Sequence, residues 1–441
     1  MAALAGRGLL FVLVCWLFAA PALGEEPPPG APPEAAALQE PEEGHPALHA
    51  SGSLRTDYFS SDKTLDDRAD FLGGTAELTL SSVFSQQFDA KAKARLSHPD
   101  LVGGRSEARF KFVEGYLNWH GAQLDLRIGK QIVAWGRADA VNPTDNLTPR
   151  DFTVLLPLEE NQRLGTVALK LDWSLTPEYT LELFATPFFE PSKIPLPIPA
   201  GARTRERLPS RELSDTEVGI KLNHTGGAVD WSLSFYHGYS LLPEIRLADL
   251  APAPGLLLDL RYPQIEVVGA DVARSYGGYG LRGEAAFVVP RDYDGSRPTV
   301  IRPYLFYVLG VDRSFFESLN VNLQLVGRWV QGYRDPESVA DPVLRLLALN
   351  SAIIYGQRRS ADVGFTLRVA DRWFNDTLCA ELLLVSYLNP ANSYLRPLVS
   401  YDFTDRIKGT LGAELYSGPD DSLYGILKRN QGWFAELRYS F

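Results

Sequence analysis

Along most of this 441-residue chain, apolar and polar residues alternate one by one. In the last eleven, QGWFAELRYSF, Trp433, Ala435, Leu437, Tyr439 and Phe441 fall on one face of an extended chain. Phe434, Glu436, Arg438 and Ser440 fall on the other. Period two is the signature of a strand with one apolar side. FDAKAKARL repeats it, setting Phe88, Ala90, Ala92, Ala94 and Leu96 against Asp89, Lys91, Lys93 and Arg95. Leu124–Ile128, Thr166–Trp173, Tyr179–Ala185, Leu319–Leu325 and Ile407–Leu415 do the same.

Alternation by itself also fits a soluble sandwich with its apolar faces inward. Three features point elsewhere. The strands are about nine to thirteen residues long, which suits a tilted membrane crossing better than the common strand of about five or six. Short and long connections alternate along the chain. The chain also ends on an aromatic residue that closes an amphipathic strand. Lipid tolerates no open sheet edge, so such strands close on themselves. The expected fold is all-β, a transmembrane antiparallel barrel of about eighteen strands, with sixteen as the alternative. Its short turns are expected at Ser85–Asp89, His120–Ala122, Leu175–Glu178, His224–Ala228, Ser275–Gly278, Asp312–Ser318, Asp371–Asp376 and Phe403–Arg406. Both termini then share the periplasmic side with these turns. Trp433, Leu437, Tyr439 and Phe441 together resemble the C-terminal recognition signal of Gram-negative outer-membrane barrels. That resemblance implies the barrel-assembly machinery and outer-membrane lipid as partners, and the outer membrane as location.

The chain's other end agrees. Arg7, an apolar run from Leu9 to Ala20 and the small residues before Gly24 read as a secretory signal peptide over residues 1–24. The run is too short for a permanent membrane helix. Val14 stands where a lipid-modified Cys15 would want a small residue. Residues 25–50 are rich in Pro, Glu and Ala and read as a periplasmic linker, leaving 51–441 for the barrel. Trp119, Trp173, Trp231 and Trp373 all stand beside expected short turns, where an aromatic belt at a membrane boundary would put them.

Composition removes several function classes. Without the leader, Cys379 is the single cysteine, which excludes an internal disulfide and any Cys-based metal site. The six histidines are scattered, and no HExxH, phosphate-binding or GxSxG motif occurs, so no metal, cofactor or catalytic set is expected. Asp230 and Ser234 share one strand parity, but His237 does not, which argues against a triad. A net charge of −11 argues against nucleic acid.

One segment breaks the alternation: GKQIVAWGRADAVNPTDNLTPRD, Gly129 to Asp151. It opens the third long connection, Val133 to Arg163, which in general porins folds into the barrel. Asn142-Pro143 and Thr148-Pro149, each followed by an acid, read as starts of short helical turns. Its Arg137, Asp139, Asp145, Arg150 and Asp151 would face Lys91, Lys93, Arg95, Arg109, Lys111 and Arg127 on the lumen side of neighbouring strands. A basic wall opposite a mixed loop would sort solutes by charge; the plainer reading is that any lumen is polar. Glu114 follows Phe110 and Phe112 in outward register, so a bulge near Val113 is expected to turn it inward, towards Arg127.

The combination VEGYLNW…LDLRIGKQIVAWGRADAVNPTD resembles a proteobacterial family of outer-membrane barrels of unassigned function. GYGLRGEAAF and VLGVDRSF…LNVNLQL look like its later strands. The resemblance covers most of Leu54 to Phe441 and implies a porin-like barrel, often associated with envelope efflux or lipid transport. Passive passage of small solutes is the function expected. Four apolar loop stretches keep alternatives open: Phe152–Glu160, Pro187–Gly201, Leu247–Leu260 and Val343–Leu349. They are either an entrance for hydrophobic or amphipathic solutes or a lid packed on itself. A barrel sheathing a partner protein is the third possibility.

Overall fold

A computed structural model describes residues 47–61, 70–99, 101, 107–139, 141–152, 162–194, 202–248, 257–293, 295–316, 318–419, 422–428 and 431–441. The expected signal peptide and residues 25–46 of the expected linker lie outside these. The first strand begins at Ala47, so the last four residues assigned to the linker belong to the barrel.

The strands, in chain order, are β1 (Ala47–Ser61), β2 (Asp70–Ser85), β3 (Phe88–His98), β4 (Arg109–His120), β5 (Leu124–Gln131), β6 (Thr166–Ser174) and β7 (Tyr179–Thr186). They continue as β8 (Arg203–Arg207), β9 (Glu217–His224), β10 (Asp230–Tyr239), β11 (Glu244–Leu247), β12 (Leu257–Arg261), β13 (Gln264–Tyr276) and β14 (Tyr279–Pro290). The last are β15 (Tyr304–Phe315), β16 (Leu319–Val330), β17 (Ala361–Trp373), β18 (Leu378–Leu388), β19 (Ala391–Thr404), β20 (Ile407–Ser417) and β21 (Gly432–Ser440). All except β8, β11 and β12 form one 18-stranded sheet. Neighbours pair antiparallel throughout, and β21 pairs with β1 from Ser53↔Ser440 to Ser61↔Gly432, which closes the barrel. At the seam the backbones of Gly52 and Phe441 exchange hydrogen bonds of 2.9 and 3.0 Å.

All eight expected short turns stand between consecutive strands at one end of the barrel, and the seam puts Phe441 at that same end. At the other end one expectation fails: β18 and β19 are joined by Asn389 and Pro390 alone, so long connections do not alternate without exception.

The alternation sorts as the pleat requires. Outward side chains include Leu78, Leu96, Phe110, Leu169, Val268, Leu325 and Leu382, all exposed, Phe110 at 70%. Among the described residues no helix is long and apolar enough to cross a membrane. Trp119, Trp173, Trp231 and Trp373 lie on the outward face beside the short turns, and Trp231 stacks on His224 at 5.5 Å. Of the terminal residues, Leu437, Tyr439 and Phe441 face outward towards that end. Trp433 lies at the opposite end, its ring 5.0 Å from Tyr58.

Inside, the two halves of the wall differ. From β13 to β19 the inward positions nearer the long-loop end are largely apolar, among them Val267, Val288, Phe306, Val326 and Val385, whereas Asp271, Arg282, Asn322, Arg368 and Glu381 stand nearer the short turns. Long connections pack on the apolar positions. Val133, Trp135 and Leu147 come from the third, Leu242, Ile245 and Leu258 from the fifth, and Leu347 and Ile354 from a helix, α1 (Pro342–Ile354). Asp341 caps α1, accepting the N–H groups of Val343 and Leu344 at 2.9 and 2.8 Å ahead of Pro342. Strands β11, β12 and β8 make a separate three-stranded sheet in the connections that follow β7 and β10.

Candidate functional site

The third long connection leaves β5 and crosses to the far wall. Val133 is buried, and the Trp135 indole N–H donates to Glu182 of β7 at 2.7 Å. Gly136 follows with φ +103, a conformation that glycine adopts without a Cβ penalty. The turn aims the next N–H groups at one carboxylate, Glu284 of β14. It accepts from the backbones of Arg137 (3.0 Å), Ala138 (3.1 Å) and Thr144 (2.8 Å), and from the Thr144 hydroxyl (2.8 Å). Glu284 is only 3% exposed, so these donors replace the water it lost. Arg137 donates to Asp271 of β13 at 2.7 Å and lies 3.6 Å from Asp230 of β10. Asp139 accepts from Arg282 of β14 and Asn322 of β16. The connection then returns, and Lys111 of β4 pairs with Asp151.

Within the connection, Arg150 and Arg163 both meet Asp145, at 2.7 and 3.0 Å. The Thr148 hydroxyl donates to the Val133 carbonyl at 2.9 Å. The short turn expected at Asn142 is present, its carbonyl accepting the Asp145 N–H at 3.2 Å, but the one expected at Thr148 is not. Pro143–Thr144 is a single turn, and Arg150 and Asp151 enter isolated bridges with Arg163 and Lys193. Thr148 binds back across the loop instead of capping a helix.

Of the six cations expected on the lumen wall, four, Lys91, Lys93, Arg95 and Lys111, meet carboxylates. Lys93 and Arg95 both meet Glu77 of β2, at 2.8 and 2.7 Å. The bulge at Val113 is present: Lys93 opposes Glu114 while Ala94 opposes Phe112. It turns Glu114 inward as expected, but its partners are Lys91 at 3.2 Å and the Ile132 N–H at 3.2 Å, not Arg127. Arg127 instead donates to Asn118 at 2.8 Å and covers the Tyr116 ring at 4.3 Å, because the β4–β5 register sets it opposite Asn118. Arg109 is exposed at the long-loop end of β4.

Where described, the apolar loop stretches are buried only in part: Phe188, Leu247, Val343 and Leu344 are exposed. Phe189 lies against Tyr239 and Tyr262 at 5.6 and 5.0 Å, and Leu258, Leu260 and Leu347 are buried. Burial pushes the Tyr355 phenol well above its usual range, so it stays a donor to the Leu242 carbonyl at 2.5 Å. Residues 153–160, 195–201 and 249–256 of these stretches lie outside the described residues. Beside the third connection is a cavity of about 140 Å³ bordered by Val141, Asn142, Asp145, Val288, Phe306 and Tyr355. Another, of about 340 Å³, lies between the wall and the connection that carries α1, beside Arg328, Tyr333 and Asp362. Among the described residues no group of His, Cys, Asp and Glu is placed to hold a metal ion.

The anchors Trp135, Glu182, Asp271, Arg282 and Glu284 were not foreseen. One signal was present: Glu284 is a lone acid at an inward position followed by Ala286 and Val288.

No curated protein matches the chain. Among solved structures, the outer membrane protein OpdK of Pseudomonas aeruginosa is similar, with a TM-score of 0.55 at 10% identity, over 90% of this chain and 99% of that one. OccK5 (OpdH) of the same organism is similar with a TM-score of 0.53 at 11% identity, over 89% of this chain and 98% of that one. The barrel thus shares its fold with these two proteins. A family model described as a protein of unknown function, DUF1302, matches residues 85–339, more than half the chain. The chain belongs to the DUF1302 family.

Proposed function

We propose that this protein is a porin-like channel in the outer membrane of a Gram-negative bacterium, passing small solutes passively through a lumen that its third long connection restricts. The observation that carries the reading is the hydrogen bonding of that connection to inward residues of β7, β13, β14 and β16, inside a closed barrel whose outer face is apolar. A closed ring with exposed leucine and phenylalanine outside and charges inside suits hydrocarbon around water. The end bearing the short turns and Phe441 is then periplasmic.

The open path runs beside the charged wall of β1 to β6, since the long connections pack on the inward residues of β13 to β19. Ion pairing of four of that wall's six cations weakens its field, so the channel discriminates modestly by charge. Burial of the loop residues Leu258, Leu260 and Leu347 favours polar solutes over a hydrophobic or amphipathic cargo. Outer-membrane lipid and the barrel-assembly machinery are the partners this reading requires. Proteoliposome swelling tests it: a small sugar enters faster than in protein-free vesicles, and a tetrasaccharide does not. Equal rates with and without protein contradict it.

A further inference from the structure

The three-stranded sheet of β8, β11 and β12 has two unlike faces. The register sets Arg203, Arg205 and Arg207 opposite Leu257, Asp259 and Arg261, and these opposite Arg246 and Glu244. Residues of the other parity, Ile245, Leu258 and Leu260, are buried in the core cluster, so the arginine face looks away from it. Five arginines share that face with two carboxylates, in a chain whose net charge is −11.

The arrangement is built around Asp259. Its side chain is 3% exposed and accepts from Arg205 at 2.7 and 3.0 Å, with Arg207 and Arg261 both at 3.7 Å. The side chains of these three arginines are 41 to 49% exposed. The Arg205 hydrogen bonds hold the Asp259 carboxyl below its usual range, so it stays ionised and fixes the arginines in place. Glu244 similarly takes Arg246 at 2.6 Å, and Asp292 lies 3.8 Å from the same arginine. One carboxylate cannot neutralise three guanidiniums, and a planar fork matches the oxygens of a phosphate. Apolar side chains adjoin the arginines: Leu257, opposite Arg203 on the same face, is only half-buried, and Leu208, next after Arg207, is exposed. Cationic forks beside apolar side chains suit a ligand with both an anionic head and an apolar body.

We infer that the arginine face of the β8–β12–β11 sheet binds the phosphate groups of an anionic lipid headgroup in the leaflet surrounding the long-loop end of the barrel. The inference rests on the membrane reading above, but its test does not depend on conductance.

The test uses the purified full chain in non-ionic detergent and a fluorescent diphosphorylated glucosamine glycolipid, read by anisotropy. Wild type binds the glycolipid. The triple variant Arg203→Gln, Arg207→Gln, Arg261→Gln, with unchanged heat-modifiable gel mobility, binds at least roughly tenfold more weakly, as does wild type with the dephosphorylated glycolipid. Arg261→Lys keeps the charge but loses the fork, and falls between. Equal binding by wild type and the triple variant overturns the inference. So does displacement of the glycolipid by inorganic pyrophosphate at equal affinity, which assigns the site to a free anion. Loss of binding with conductance retained separates this site from the channel.

Discussion

Thr144 donates twice to Glu284, through its main-chain N–H and its hydroxyl, each at 2.8 Å, although the two residues are 140 positions apart. With the Arg137 and Ala138 amides, they give a wall carboxylate four donors from one loop. Replacing Glu284 with Ala strands those donors, and each buried unsatisfied group costs about 1–3 kcal/mol. The loop is therefore expected to leave the wall. Limited proteolysis should cut between residues 137 and 152 in Glu284→Ala and spare wild type, while Glu284→Gln, which keeps one acceptor oxygen, gives partial protection.

Gly136→Ala should act at the same place from the other partner. A Cβ there would stand 2.6 Å from both carboxylate oxygens of Glu284, on a backbone with φ +103. Clash and strain each oppose the turn. The expected result is the same protease-sensitive segment as in Glu284→Ala, with little further change in the double variant, because both break one contact.

The Trp135 indole has a narrower part. Trp135→Phe keeps most of the packing but leaves Glu182 without its 2.7 Å donor. A loss of about 1–3 kcal/mol follows for the buried acceptor. Hydrogen exchange of the Trp135 and Gly136 amides should rise while that of β14 stays unchanged.

Glu77 holds Lys93 and Arg95 together. Glu77→Gln removes the carboxylate that Lys93 and Arg95 share and makes this part of the lumen wall more positive. The reversal potential under a potassium chloride gradient should shift towards chloride, with a permeability ratio roughly twofold higher or more. An unchanged reversal potential would place these cations off the solute path.

Barrel closure rests on a position without a side chain. A Cβ on Gly52 would stand 2.7 Å from Cζ of Phe441 and closer still to the Glu77 carbonyl. Gly52→Val is expected to leave most of the chain unassembled. The check is loss of the heat-modifiable band, with the neighbouring Ser51→Val as control.

The barrel was legible because the pleat enforces period two wherever one face is apolar, so eight turns and the slip at Val113 could be placed from residues alone. Partners inside the lumen were not. Arg127 and Glu114 share an inward face, but register sets Arg127 against Asn118 and a neighbouring strand brings Lys91 to Glu114. Strands β8 and β12 pair in parallel across more than fifty residues, which no local pattern announces. Helix α1 did carry a local signal, Asp341-Pro342 before an apolar run, but it stood within a stretch read for greasiness alone. The signal at Glu284 was weak, because a single inward acid looks like any lumen residue until the loop that binds it is in place.

Planar-bilayer recording of wild type beside Glu284→Ala tests the central claim most directly. A loop tethered inside the lumen predicts a steady unitary conductance in wild type and a larger, noisier one in the variant. Identical conductances in the two, with the loop shown by proteolysis to be released, would contradict it.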